Sequence, residues 1–165
     1  MKKLVLFLTV VLAFLSCNQP VEKTRGIPAP ERVKKEAPVP IDSLENDLKE
    51  KGYQVFRHET EDSTYLMQRY YMVFLKAGPN RNQDSTEVAK LQEQHLSHLS
   101  RMADEGFVSL VGPLEENDEI RGIAIYNTPT QKEADSLANL DPMVKAGRLK
   151  VEVHPWWTSK GGKLD

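Results

Sequence analysis

The sequence lacks several features that would indicate a particular class of function. It has one cysteine in 165 residues, so no disulfide can form within the chain. Its 22 basic residues are balanced by 24 acidic ones, which gives none of the positive excess that marks nucleic-acid-binding proteins. It contains no phosphate-binding glycine loop and no nucleophile elbow. We therefore expect no nucleic-acid partner and no cofactor, and a fold stabilised by its core or by association.

Long apolar runs are also scarce, and the single one lies at the N-terminus. Lys2 and Lys3 precede Leu4–Leu15, a run of 12 residues that is too short to cross a bilayer and is typical of a signal peptide. The following Leu15-Ser16-Cys17 resembles a bacterial lipoprotein processing box, which implies cleavage before Cys17 and lipidation of that residue. We expect residues 1–16 to be the signal peptide and the protein to be anchored in the cell envelope, facing the periplasm. The alternative is an ordinary secretory signal that ends near a cysteine.

The next segments connect this anchor to a folded domain. Residues 17–41 contain five of the ten prolines with charges between them, so they read as an extended tether. Residues 42–69 form a lead-in. It is predicted to hold a helix over Leu44–Lys51, capped by Asp42 or Ser43, and two short strands at 53–57 and 64–68.

Residues 70–157 show the alternation of a single α+β domain, and residues 158–165 are a polar tail. The predicted order is strand, helix, strand, strand, helix, strand, which favours a ferredoxin-like βαββαβ sandwich with the lead-in as an N-terminal helix and hairpin. The predicted elements are Tyr70–Lys76, Ser85–Glu105, Phe107–Val111, Ile120–Tyr126, a helix from Thr128 or Thr130 to Leu140, and Leu149–Val153.

The first of these strands is apolar on both faces, although two helices can cover only one face of the sheet. A second subunit packed sheet to sheet would bury the other face and give a two-fold homodimer. The lead-in is the alternative cover.

Two ionisable residues occupy positions where apolar ones are expected. On a helical wheel of roughly 100° per residue, His95 lies about 20° from Val88, in the centre of the apolar stripe of the long helix. Asp141 continues the Ala134, Leu137 stripe of the second helix. Both stripes face one sheet, so the two side chains can meet. A carboxylate beside an imidazole fixes its tautomer, as a general base requires. The alternative is a structural histidine and a helix-ending Asp-Pro unit.

Other candidates for substrate contact are Tyr71, Arg81 and Arg121. The arginines, which flank predicted strands, could bind an anionic substrate, and Tyr71 could line a pocket between helices and sheet. Solvated arginines and a core tyrosine are the alternative. A metal held by His95 and His98 with His58 or His154 is disfavoured, because the His-x-x-His spacing points the side chains apart. We expect no metal.

Several short motifs follow one another in a fixed order along residues 70–157. They are Tyr71–Leu75, Gln94–Leu99, Asp104-Glu105-Gly106, Gly112-Pro113, Arg121-Gly122, Ala134 and Asp141–Gly147. This ordered set resembles the YCII-related domain family. The lipoprotein N-terminus and the lead-in lie outside the family pattern.

The resemblance implies the dimeric α+β barrel form of the ferredoxin-like fold. It also implies an active-site histidine and aspartate, which by motif position are His95 and Asp141. Family members with an assigned reaction act on small organic rings by proton transfer or elimination. The sequence thus allows three functions: an enzyme acting on an unidentified small organic molecule, a module that binds such a molecule, or a structural lipoprotein.

Overall fold

The computed structural model describes residues 39–115 and 119–164, which contain four helices and five strands. Cys17, the predicted signal peptide and nearly all of the predicted tether lie outside these residues. The elements in chain order are α1 Ile41–Glu50, β1 Val55–Glu59, β2 Thr64–Ala77, α2 Ser85–Asp104, β3 Val108–Pro113, β4 Ile120–Tyr126, α3 Gln131–Ala138, α4 Pro142–Lys145 and β5 Leu149–Ser159.

The sheet is antiparallel and has the ferredoxin-like strand order. Strand β2 lies between β4 and β5, and β3 pairs with the other edge of β4. The order β5-β2-β4-β3, with α2 after β2 and α3 after β4, confirms the predicted βαββαβ arrangement.

The core lies between one face of this sheet and helices α2 and α3. Alternate residues of β2 point to this face, as the period of a strand requires. They are Tyr71, Val73 and Leu75, and they pack in one cluster with Met102 of α2 and Ala134 of α3. The first turn of α2 is capped by Asp84, whose side chain accepts the Glu87 N–H, and the helix ends before Gly106 at φ +80°.

The lead-in is continuous with the domain rather than separate from it. Strand β2 begins at Thr64, so the predicted strands 64–68 and 70–76 are one strand, and β1 pairs with its first five residues. Helix α1 is attached to β1 through Arg57, which pairs with Asp42 and with Glu45. The predicted cap was wrong: α1 begins at Ile41, and Pro40 in the capping position provides no side-chain hydrogen bond.

Two further strands are longer than their sequence patterns predict. Strand β5 continues through Pro155 to Ser159, and β3 continues through Pro113. Among the described residues, β5 pairs with β2 alone and β3 with β4 alone, so both are edge strands. A proline on the outer side of an edge strand removes no ladder hydrogen bond.

The second face of the sheet, which we call the open face, is covered in part by the lead-in. Arg57, which holds α1, lies opposite the buried Leu66 on this face. Farther along β2, Met72 and Phe74 on the same face remain partly exposed. On the same face of β3, Leu110 is 42% exposed. The lead-in therefore explains the burial of one end of β2 and leaves the other end uncovered.

Candidate active site

The structure brings His95 and Asp141 into direct contact. His95 Nδ1 lies 2.5 Å from Asp141 Oδ2, and the two residues are 8% and 1% exposed. Helix α2 presents His95 toward the sheet, and the turn between α3 and α4 brings Asp141 against it. The contact joins residues 46 positions apart, so it depends on the tertiary fold.

Asp141 is held in place by a helix cap and not by the helix on which it was predicted. Helix α3 ends at Ala138, and Asp141 is the N-cap of α4, followed by Pro142 in the first turn. Its Oδ1 accepts the Met143 N–H at 2.8 Å, which leaves Oδ2 for His95. The cap thereby orients the carboxylate, so that each oxygen has one buried partner.

The orientation of the Asp141 carboxylate determines which nitrogen of the His95 imidazole carries the proton. A carboxylate has only acceptor sites, so Nδ1 of His95 donates to Asp141 and Nε2 is the nitrogen that remains. His95 lines a cavity of about 770 Å³ between α2 and the sheet. An imidazole with Nδ1 tied to a carboxylate and Nε2 available can accept a proton from a bound molecule and return it.

The cavity is apolar except for a few polar groups. Its polar lining is His95, Gln92, Ser100 and the three arginines Arg81, Arg121 and Arg148. The remainder comes from aliphatic side chains and backbone, including Leu75, Leu96, Leu99, Ala103, Val111, Gly112, Pro113, Gly122, Met143 and Leu149. Its size and this mixture are usual for a small-molecule site.

The predicted substrate-contact residues divide between the cavity and the core. Arg81 and Arg121 both line the cavity. Tyr71 does not, because it points into the core at 1% exposure, where its hydroxyl accepts from Arg69 Nη2 at 2.9 Å and lies 3.4 Å from Pro129 O. A tyrosine is a common pocket residue, but Tyr71 lies on the face of β2 that packs against the helices. Arg148 lines the cavity and was missed, because one charged residue before a strand carries no periodic signal.

His98 is a second buried histidine on α2. It is 4% exposed, and its Nδ1 lies 3.2 Å from Arg101 Nη2. A guanidinium only donates, so Nδ1 accepts and Nε2 carries the proton. That Nε2 is buried without a hydrogen-bond partner among the described residues. Burial lowers the pKa of His98, and Arg101 lowers it further against the opposing effect of Asp141, so the ring is neutral at pH 7.

We expect His98 to make the protein less stable as the pH falls from 7.5 to 5. Its folded pKa lies below the ordinary value of 6.5, so the unfolded chain takes up the proton first and the free energy of unfolding decreases below pH 6.5. Denaturant melts at both pH values should show a smaller difference in His98→Leu than in the wild type. The exposed His58 provides the control variant His58→Leu, and an equal pH slope in His98→Leu would contradict the expectation.

The histidines considered as metal ligands lie on separate elements, with His95 and His98 on α2, His58 on β1 and His154 on β5. His154 lies on the open face, where it pairs with Glu152 at 2.7 Å and makes an edge-to-face contact with the Phe74 ring. Residues 39–115 and 119–164 contain no cluster of three or more histidine, cysteine, aspartate or glutamate side chains that could hold an ion. No helix in the same part of the chain is long and apolar enough to span a membrane.

The YCII-related domain model matches residues 69–157, and the chain belongs to this family. One similar solved structure is 5-chloro-2-hydroxyhydroquinone dehydrochlorinase (TftG) from Burkholderia phenoliruptrix AC1100, in complex with 2,5-dihydroxybenzoquinone. The two chains are 21% identical, with a TM-score of 0.40, over 53% of this chain and 92% of that one. No curated protein matches the chain.

Proposed function

We propose that the protein is an enzyme that moves a proton on a small organic molecule, in an isomerase- or lyase-type reaction. The observation that carries the proposal is the buried contact between His95 Nδ1 and Asp141 Oδ2, in which His95 also lines a mainly apolar cavity. His95 would act as general base and then general acid through Nε2. Asp141 would be the positioning residue that fixes its tautomer.

The setting of the pair supports this role over a purely structural one. A structural histidine needs no open space beside it, whereas His95 borders a cavity large enough for a small cyclic molecule. Asp141 is not itself among the residues that line the cavity, so its carboxylate acts on a bound molecule only through the imidazole. Apolar surroundings also strengthen the electrostatic effect of the ion pair that forms when His95 takes up a proton.

The proposed cellular setting is a bacterial envelope lipoprotein, attached through Cys17 and held away from the membrane by residues 17–41. The supporting pattern is Lys2 and Lys3, the apolar run Leu4–Leu15 and the cysteine two positions after it. Mass spectrometry of the membrane fraction should find a diacylglyceryl-modified Cys17 at the new N-terminus. A soluble chain that retains a free Cys17 would contradict this part of the proposal.

We also propose a homodimer formed through the open face. Met72, Phe74, Leu110 and Trp156 share this face and are all partly exposed, which makes an apolar surface of the kind that subunits bury. Sedimentation equilibrium at micromolar concentration should give the mass of two chains. A single-chain mass would contradict the dimer.

The enzymatic proposal can be tested without knowing the natural substrate. A base that removes a carbon-bound proton exchanges it with solvent, so small cyclic carbonyl compounds incubated with the protein in D₂O should acquire deuterium, visible by proton NMR. We expect exchange with at least one compound of such a panel, slowed by about 10²- to 10⁴-fold in His95→Gln.

The same spectra separate the enzyme from its two alternatives. Line broadening of a compound without deuterium incorporation would favour a binding module. Neither broadening nor exchange with any compound would favour a structural lipoprotein. Thermal melts of His95→Gln should show that the variant is folded, so that lost exchange reflects the missing imidazole.

A further inference from the structure

The permanently charged side chains that line the cavity are all positive. Three guanidinium groups line it, from Arg81, Arg121 and Arg148, and no carboxylate is among the lining residues. Asp141 lies behind His95 at 1% exposure and is occupied by its two hydrogen bonds. Arg81 and Arg121 are exposed and Arg148 is half-buried, and their positive charges favour an anion over a cation in this cavity.

The fold brings the three arginines to one end of the sheet from separate segments. Arg81 follows the end of β2, and Arg121 and Arg148 lie at the starts of β4 and β5. In the antiparallel sheet these ends are neighbours, since Lys76 pairs with Ile120 and Ala77 with Leu149. We call the part of the cavity beside these strand ends its arginine end.

The guanidinium groups have few protein partners. Arg148 Nη1 donates to Gln83 Oε1 at 3.2 Å, and Arg81 Nη1 donates to the backbone oxygen of Arg148, also at 3.2 Å. Both acceptors are neutral. Within residues 39–115 and 119–164, no ion pair joins any of the three guanidinium groups to a carboxylate. Among the described residues, most N–H groups of the three guanidinium groups therefore have no protein acceptor.

We propose that this cavity binds an organic carboxylate with an apolar body, and that Arg148 is an anion-binding residue of the site. The arginine end matches the two oxygens of a carboxylate, which guanidinium groups bind in a planar, two-bonded geometry. The aliphatic lining from Leu75, Leu99 and Met143 matches an apolar ring or chain. Inorganic phosphate would satisfy the arginines and leave this lining without a partner.

The role of the arginines in a reaction rests on the proposed proton transfer by His95, whereas their role in binding does not. When His95 Nε2 takes a proton from the carbon between a carbonyl group and a carbon–carbon double bond, the C–H electron pair becomes a new carbon–carbon π bond and the carbonyl π pair moves to the oxygen, which gives a dienolate. The oxygen pair then re-forms the carbonyl group while the far carbon of the dienolate takes the proton back from Nε2, so the double bond has moved and no other reactant is needed. One guanidinium group binds the carboxylate, and a second can stabilise the enolate oxygen.

Calorimetric titration of the full-length protein with three probes tests the binding assignment. Benzoate should bind roughly tenfold or more tightly than benzamide, its neutral analogue, and than inorganic phosphate. Arg148→Gln should weaken benzoate binding by about tenfold and leave benzamide binding unchanged. Lys132→Gln, an exposed change of equal charge on α3, should change neither affinity.

Three results would overturn the assignment: equal affinities for benzoate and benzamide, phosphate binding as tight as benzoate binding, or an equal effect of Arg148→Gln on benzoate and benzamide. The measurement involves no turnover, so it is independent of the proposed reaction. Arginine-dependent benzoate binding together with absent deuterium exchange would preserve the carboxylate site and reject the enzyme.

Discussion

Asp141→Ala should lower the free energy of unfolding by about 3 kcal/mol. The substitution leaves two buried donors without acceptors, His95 Nδ1–H and the Met143 N–H. Each stranded buried donor costs about 1–3 kcal/mol, and the loss of the cap weakens the start of α4 as well. The same change should abolish any deuterium exchange, because the imidazole loses the partner that fixes its tautomer.

Asp141→Asn separates the structural part of this effect from the chemical part. The amide oxygen can still accept the Met143 N–H, so the cap survives and the cost in stability should fall to about 1 kcal/mol. The amide nitrogen, however, is a donor where the carboxylate was an acceptor. Nδ1 of His95 must then become an acceptor, and the proton moves to Nε2. An imidazole in this tautomer cannot take a proton at Nε2, so exchange should slow by about 10⁴-fold.

Two measurements test this pair of variants. Chemical denaturation gives the two stability losses, and long-range ¹H–¹⁵N correlation spectra of the His95 ring report which nitrogen carries the proton. We expect a large loss of stability in Asp141→Ala and a small loss in Asp141→Asn. In Asp141→Asn alone, the proton of the neutral His95 ring should move from Nδ1 to Nε2. An unchanged His95 tautomer in Asp141→Asn would show that the carboxylate does not govern the imidazole.

The sequence was sufficient to find the pair but not to explain how it is held. The position of His95 follows from helical periodicity, because a 20-residue helix gives a well-defined apolar stripe. Asp141 was placed on the stripe of α3, but that helix ends at Ala138 and the carboxylate is oriented as the N-cap of α4. The residue before a proline is disfavoured in helical geometry, so Asp141 does not continue α3 although it fits the apolar period of that helix.

The cavity was harder to predict than the fold, because it depends on groups that have no sequence period. Strand alternation shows that Tyr71 faces the helices, but it does not distinguish a core position from a cavity wall. Arg148 becomes a cavity residue only through the pairing of β5 with β2, which brings its strand start beside the end of β2. The predicted strands β3 and β5 were too short, because Pro113 and Pro155 were expected to end them. A proline can lie within an edge strand, and the sequence does not show which strands lie at an edge.

Gly78→Ala should be among the most destabilising small substitutions in the domain, at about 3 kcal/mol, which lowers Tm by roughly 6–12 °C. A Cβ at this position would lie 2.2 Å from the backbone oxygen of Gly147 and 2.7 Å from the carbonyl carbon of Arg148. These are backbone atoms, so no side-chain rotation can relieve the overlap. The turn is also fixed by hydrogen bonds from Gly78 N to Arg148 O and from Asn80 N to Gly147 O.

Gly112→Ala is the matched control, since Gly112 also lines the cavity but has nothing within 4 Å of an added Cβ. It should change stability by no more than about 0.5 kcal/mol. Because the overlap at Gly78 displaces the segment that carries Arg148, Gly78→Ala should also weaken benzoate binding, while Gly112→Ala should not weaken it through the arginines. Calorimetric melts and benzoate titrations of both variants measure these effects. Equal melting temperatures for the two variants would show that the turn yields without strain, and that Arg148 is not positioned by its close contact with Gly78.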